Sequence, residues 1–224
     1  MSKYILAIII LCVVGLGVYL MKDYFIEEPL SEKLPEEVSE EKEEPEEQIL
    51  EGETMDQLTA DLKGEGKQQL INLLAVKDKE YEFVFHGLVR IFKDEKGKTL
   101  EWEGPLVEGI HSAGGTLSVA TNSATNWTTI QATWGAGAHG AISQFIHWTG
   151  SKFEIIKAID ENGEEIDSFF GDGGGAVLNP DGTISVYFRN YDCPLSGQGI
   201  TYTYEWNGNV YQYAKTEAPP CPSE

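Results

Sequence analysis

Apolar and polar residues alternate one by one in several short windows beyond Gly66, which is the period of a half-buried β-strand. In Thr183 to Arg189, Ile184, Val186 and Phe188 fall on one face, with Thr183, Ser185, Tyr187 and Arg189 on the other. Thr201 to Trp206 splits the same way, with Tyr202, Tyr204 and Trp206 against Thr201, Thr203 and Glu205. Ile130, Ala132 and Trp134 alternate with Thr129, Gln131 and Thr133. Turn chemistry separates these runs: Asp160-Glu-Asn-Gly163, Asn179-Pro-Asp-Gly182 and Asn207-Gly208 are hairpin-type signals. The pattern predicts an all-β, antiparallel domain.

Two of the predicted hairpins share a spacing. Trp148-Thr-Gly150-Ser-Lys-Phe153 and Trp206-Asn-Gly208-Asn-Val-Tyr211 both read Trp-x-Gly-x-x-aromatic, and all three matches are offset by 58 residues. A looser copy runs from Ile91-Phe92 through Gly97 to Trp102. A period of this size with about four short strands per unit predicts three blade-like units, near Ala60 to Glu103, Gly104 to Ala158 and Ile159 to Lys215.

Asp61-Leu-Lys-Gly-Glu-Gly-Lys-Gln-Gln-Leu-Ile71 resembles the loop of FG-GAP or VCBS-type repeats, and the Trp-x-Gly-x-x-aromatic hairpins look like those that close such blades. The resemblance covers Ala60 to Lys215 and implies a propeller-like extracellular binding fold, often with calcium in the loop. This chain departs from the pattern in two ways. Three units fall below the four to eight that normally close a ring, so the units form an open stack or close through an oligomer. Lys63 places a positive charge where a calcium loop needs a carboxylate, and Gln69 removes a later one, so the Asp61 loop is expected not to bind calcium tightly.

The first quarter of the chain follows different rules. Ile5 to Met21 carries no charge, with Lys3 and Lys22 on its flanks. As a helix it is roughly 26 Å long, close to the hydrocarbon thickness of a bilayer. A single-pass anchor over residues 1–22 is the reading adopted. The competing reading is a signal peptide cleaved after Gly15-Leu16-Gly17, which would leave the apolar segment VYLM at the new terminus. Residues 23–53 form an acidic stalk: from Glu27 to Glu53 there are 13 Glu against Lys33 and Lys42, broken by Pro29, Pro35 and Pro45. Such a segment cannot bury enough apolar surface to offset its ordering entropy. The β-repeat domain is assigned to residues 54–215, and 216–224 form a Pro-rich tail. The basic N-terminus orients the folded part to the extracytoplasmic side.

The net charge of −21 excludes nucleic acid as a partner, because phosphate binding requires clustered Lys and Arg. About half of that charge lies in the stalk, so the domain itself has ordinary surface acidity.

No catalytic constellation emerges. The four His (His86, His111, His139 and His147) lack metal-ligand spacing and read as surface or loop residues. His139 lies in the glycine run Gly135 to Gly140 and Asp172 in Phe170-Gly-Asp-Gly-Gly-Gly-Ala176; each cluster suits either a ligand loop or a plain turn. Of the five Trp, Trp134, Trp148 and Trp206 fit apolar strand faces, which leaves Trp127, beside Asn122 to Asn126, as the candidate for stacking on a ligand. Asp160, Asn162, Glu164 and Asp167 form the better-charged calcium candidate, with an ordinary hairpin turn as the alternative. Cys193 and Cys221 are candidates for a disulfide in an oxidising compartment, against two free thiols.

The expectation is a membrane-anchored extracytoplasmic binding or scaffolding domain, with a cell-surface protein or glycan as ligand and no cofactor beyond calcium. The alternative is a cell-envelope enzyme acting on polysaccharide. Convergence of Asp172, His139 and Trp127 in one deep pocket favours the enzyme, and their dispersal favours binding.

Overall fold

A computed structural model describes residues 51–78, 81, 85–110, 114–190 and 199–220. The apolar run Ile5 to Met21, the stalk up to residue 50, His111, Cys193 and Cys221 lie outside the described residues. The described residues are all-β: they contain no helix, and therefore none long and apolar enough to cross a membrane.

Sixteen strands follow in order: β1 (Gly52–Ala60), β2 (Gln69–Lys77), β3 (Phe85–Phe92), β4 (Leu100–Glu103), β5 (Val107–Ile110), β6 (Gly115–Asn122), β7 (Trp127–Ala136) and β8 (Gly140–Trp148). The second half holds β9 (Phe153–Ile155), β10 (Ala158–Ile159), β11 (Glu165–Ile166), β12 (Phe169–Asp172), β13 (Ala176–Leu178), β14 (Ile184–Arg189), β15 (Gly199–Trp206) and β16 (Tyr211–Glu217). They form three sheets. Sheet A is the antiparallel meander β1-β2-β3-β4, with β5 also pairing β3. Sheet B is the meander β6-β7-β8-β9, with β12 also pairing β8. Sheet C runs β11-β10-β16-β15-β14-β13. A four-stranded meander therefore occurs three times, but each sheet is larger than four strands. In A and B, two short strands share the outer edge of the third strand. Sheet C instead extends past β16, where β10 pairs in parallel, Ala158 with Tyr211. That pair departs from the all-antiparallel expectation. It arises because β10 follows β9 of sheet B and reaches β16 by a crossover rather than a hairpin.

The recurring Trp-x-Gly-x-x-aromatic spacing closes the last hairpin of two meanders. Trp148 pairs with Phe153 and Trp206 with Tyr211 across the strands. Between them Thr149 N–H donates to Lys152 O at 2.9 Å, and Asn207 N–H to Val210 O at 3.2 Å. Gly150 and Gly208 sit at φ +94° and +100°, a backbone region that a Cβ disfavours.

Sheet B lies between the other two, and its strands β7 and β8 are largely buried on both faces. Its Ile130, Ala132, Trp134 and Ile146 join Ile71, Leu73, Val89 and Ile91 of sheet A in one core. Its Phe145 and the β12 residue Phe169 join Ile184, Val186, Tyr204 and Tyr211 of sheet C in another. Trp134 is fully buried and donates its indole N–H to Leu74 O at 3.2 Å. It rests directly on Gly87, where a Cβ would come within 2.6 Å of the ring. The face of sheet B turned toward C is polar in composition yet buried: Thr129, Thr133, Ser143 and His147 are each less than a tenth exposed. Part of this face bonds to the sheet C backbone. Gln131 Nε2 donates to Ala176 O at 2.8 Å, and Ala176 N–H donates to Ser143 Oγ at 3.1 Å.

Candidate functional site

The register of the β7–β8 hairpin builds the main cleft. Thr129 opposes His147, so side chains at 127, 129 and 147 point to the same face, toward sheet C. Trp127 stacks on the His147 imidazole with ring centroids 3.8 Å apart and planes at 16°. Trp206, at the end of β15, meets Trp127 edge to face at 5.2 Å and 73°. Behind them Tyr211 stands 5.4 Å from Trp206. Its hydroxyl accepts from Asn122 Nδ2 at 2.6 Å and donates to Gly182 O at 2.7 Å, tying the β6–β7 turn to sheet C. The β6–β7 turn itself is tight: Asn122 Oδ1 accepts from Ala124 N–H at 3.0 Å, and Asn126 adopts φ +60°.

These rings wall a cleft of about 500 Å³ between sheets B and C, whose rim carries Thr149, Glu154, Lys157, Glu165 and Asn209. The rim charges are paired. Lys157 Nζ stands 2.6 Å from Glu165, and Lys152 Nζ 2.6 Å from Glu154. The hydrogen bond from Lys152 holds the Glu154 carboxyl below its usual range. Burial pushes His147 below the ordinary imidazole value, against the opposing pull of Glu154. Among the described residues, no partner meets hydrogen-bond geometry at the buried His147 Nδ1. An imidazole, two indoles and carboxylates make a surface that can cover an apolar ring face while accepting hydrogen bonds around its edge.

The three residues proposed for ligand contact separate into two places. His139 and Asp172 come together in a shallow pocket with Tyr187 and Arg189. There Gly173 N–H donates to His139 O at 2.6 Å, and Asp172 Oδ2 accepts from Arg189 N–H at 2.6 Å. The Gly135 to Gly140 run is part of a tight hairpin, with Ala136 paired to Gly140. Trp127 lies at the other end of β7, on the order of 30 Å away at strand rise.

Asp160, Asn162 and Glu164 occupy the turn between β10 and β11, and Asp167 follows β11. Asp160 Oδ1 accepts from Asn162 N–H and Glu164 N–H, both at 2.8 Å, and these bonds lower its pKa. Its carboxylate thus serves as a turn cap. Among the described residues, no three His, Cys, Asp or Glu side chains gather closely enough to hold a metal ion. In the Asp61 loop the carboxylate likewise caps backbone, accepting from Glu65 N–H at 3.1 Å and Gly66 N–H at 2.6 Å. Lys63 turns away to pair with Glu101, and its ammonium sits 4.2 Å above the Trp148 ring.

Sequence reasoning selected Trp127 for the site but not His147, Trp206 or Glu154. The signal that would have found His147 is the turn centre at Gly137 to His139, which fixes the register of β7 on β8 and brings residue 147 beside 127 and 129; Trp206 joins them only through the packing of sheet C on sheet B. No protein-family model matches the chain, no curated protein matches it, and no solved structure matches the fold. The class is therefore set by the molecule itself, an all-β domain of three sheets with an aromatic cleft between the second and third.

Proposed function

We propose that this chain is a cell-surface glycan-binding protein, held at the membrane by Ile5 to Met21, with its β domain carried outward on the acidic stalk. The observation that carries this reading is the Trp127–His147–Trp206 wall of the cleft, set beside Glu154, Lys157, Glu165 and Asn209. Sugar rings have apolar C–H faces and hydroxyl edges. Indoles suit the first, and carboxylates, amines and amides suit the second. The three meanders and the Asp61 loop make a degenerate FG-GAP-type repeat the preferred ancestry.

Binding is preferred over polysaccharide hydrolysis because a glycosidase needs one carboxylic acid with a raised pKa beside a second carboxylate. Glu154 is shifted the opposite way by Lys152. Asp172 and Asp160 do not join Trp127 in one cleft. The test is affinity electrophoresis of the full chain, solubilised in a polyoxyethylene detergent, through gels containing single soluble neutral polysaccharides. Retardation by at least one polysaccharide, abolished in both Trp127→Ala and Trp206→Ala, is the expected result. No retardation across the panel, or retardation that survives both substitutions, rejects the reading.

A further inference from the structure

A second recess opens elsewhere on the inner face of sheet C, independent of the glycan cleft. Phe188, Tyr202 and Tyr204 come from β14 and β15, Phe169 and Phe170 from β12, and together they line a cavity of about 230 Å³. The rings meet at steep angles instead of stacking flat. Phe188 and Tyr202 are 5.2 Å apart at 76°, Phe169 and Tyr204 are 5.2 Å apart at 79°, and Phe170 stands 6.3 Å from Phe188 at 48°. Rings from three strands that line one recess can bring a single cation within the roughly 6 Å at which it is drawn to more than one ring. Phe170, which also lines the recess, is 52% exposed.

Among the described residues the charged groups that line this recess are of one sign: Asp160 and Glu161 line it, and no Lys or Arg does. Their field reaches the floor: the Tyr204 hydroxyl is pushed up to about 12, first by burial and then by Asp160 and Glu161. The amine of the adjoining groove, Lys157, is already held by Glu165 at 2.6 Å. Asp160 is spent structurally on the turn, but it keeps its charge; Glu161 makes no such bond and is exposed. Aromatic walls with carboxylates at the mouth attract a cation too bulky and too weakly hydrated to be held by hydrogen bonds. A metal ion would need several converging oxygens, which this recess does not offer.

We propose that the Phe188–Tyr202–Tyr204 recess is a binding site for a quaternary ammonium group, as found on a free choline-like molecule or on a lipid headgroup. The methylated cation sits against the rings of Phe188 and Tyr202, with Glu161 supplying the countercharge.

The test is isothermal titration of the full chain in a polyoxyethylene detergent with choline chloride and, separately, with 3,3-dimethyl-1-butanol, its neutral isostere. Saturable choline binding is expected, with the isostere about tenfold or more weaker. Phe188→Leu and Tyr202→Leu should each weaken choline at least tenfold, and Glu161→Gln several-fold, while Trp127→Ala leaves it unchanged. Glu161→Gln lies in an exposed turn and guards against mistaking unfolding of the core variants for loss of the site. A second arm uses dibutyroyl-phosphatidylcholine: tighter binding than choline assigns a lipid headgroup, and weaker binding assigns the free cation. Absence of choline binding, equal binding of the isostere, or indifference to all three substitutions overturns the proposal.

Discussion

His147 is the residue whose position in the sequence conveys least about its role. It is 6% exposed, covered on one face by Trp127, and its pKa is lowered first by burial. A base whose folded value lies below its unfolded value binds protons preferentially when unfolded. Stability is therefore complete above the ordinary imidazole value near pH 6.5 and declines as pH falls through it toward the lower folded value. Urea denaturation at pH 7.5 and 5.5 should reveal a loss of up to about 1 kcal/mol per pH unit. His147→Gln should remove most of that difference, whereas an undiminished loss in the variant would assign it to other groups. Tyr211 behaves in the opposite way, as a satisfied buried hydroxyl. Tyr211→Phe leaves Asn122 Nδ2 and Gly182 O without their partner in a buried interface, at a cost of about 1 to 3 kcal/mol. Denaturant titration measures it, and a change below about 0.5 kcal/mol would mean that water enters to replace the hydroxyl.

The hairpins are where the chain was most legible. Glycine is required at Gly150 and Gly208 by backbone geometry alone: both have positive φ, and a Cβ at either would meet nothing within 4 Å. Gly150→Ala and Gly208→Ala should each therefore cost about 1 to 2 kcal/mol, similar at both positions because no packing enters. Thermal unfolding of the pair checks this, and a cost confined to one turn would mean the two hairpins are not structural equivalents. The same local physics explains what sequence could and could not supply. Alternation and turn residues are written into neighbouring positions, so β14, β15 and the two Trp-x-Gly hairpins could be read directly. β1 (Gly52–Ala60) could not, because none of its residues is fully buried and what places it, Met55, Leu58 and Ala60 packed on the A–B core and Asp56 Oδ2 accepting from Leu117 N–H at 2.7 Å, depends on partners distant in sequence. The cleft was half legible for a related reason. Trp127 stood out as an aromatic in a polar stretch, but Thr129, Thr133 and His147 read as a solvent face. Only the docking of sheet C, a contact distant in sequence, buries them.

At the scale of the whole domain, sheet B decides how the molecule comes apart. One face carries Ile130, Ala132, Trp134 and Ile146 into the core shared with sheet A, and the other carries Phe145 into the core shared with sheet C. Sheet A has a smaller buried cluster of its own on its other face, Leu74, Val76 and Leu88, but B alone contributes to the cores shared with both A and C, so A and C hold together only as long as B is formed. Unfolding should then be one cooperative transition. Amides in β7 and β8 should exchange only through that global opening, while those of the edge strands β1 and β13 exchange faster through local fraying. Trp134→Ala sharpens the test, because it empties the A–B core without touching a residue of sheet C. Removing a fully buried indole costs about 3 to 5 kcal/mol, and that loss should appear equally in the exchange of β14 and β15, which pack against the far face of B. If β14 and β15 keep their wild-type protection while β2 and β3 lose theirs, sheets B and C form an independent folding unit, and the coupling through sheet B is rejected.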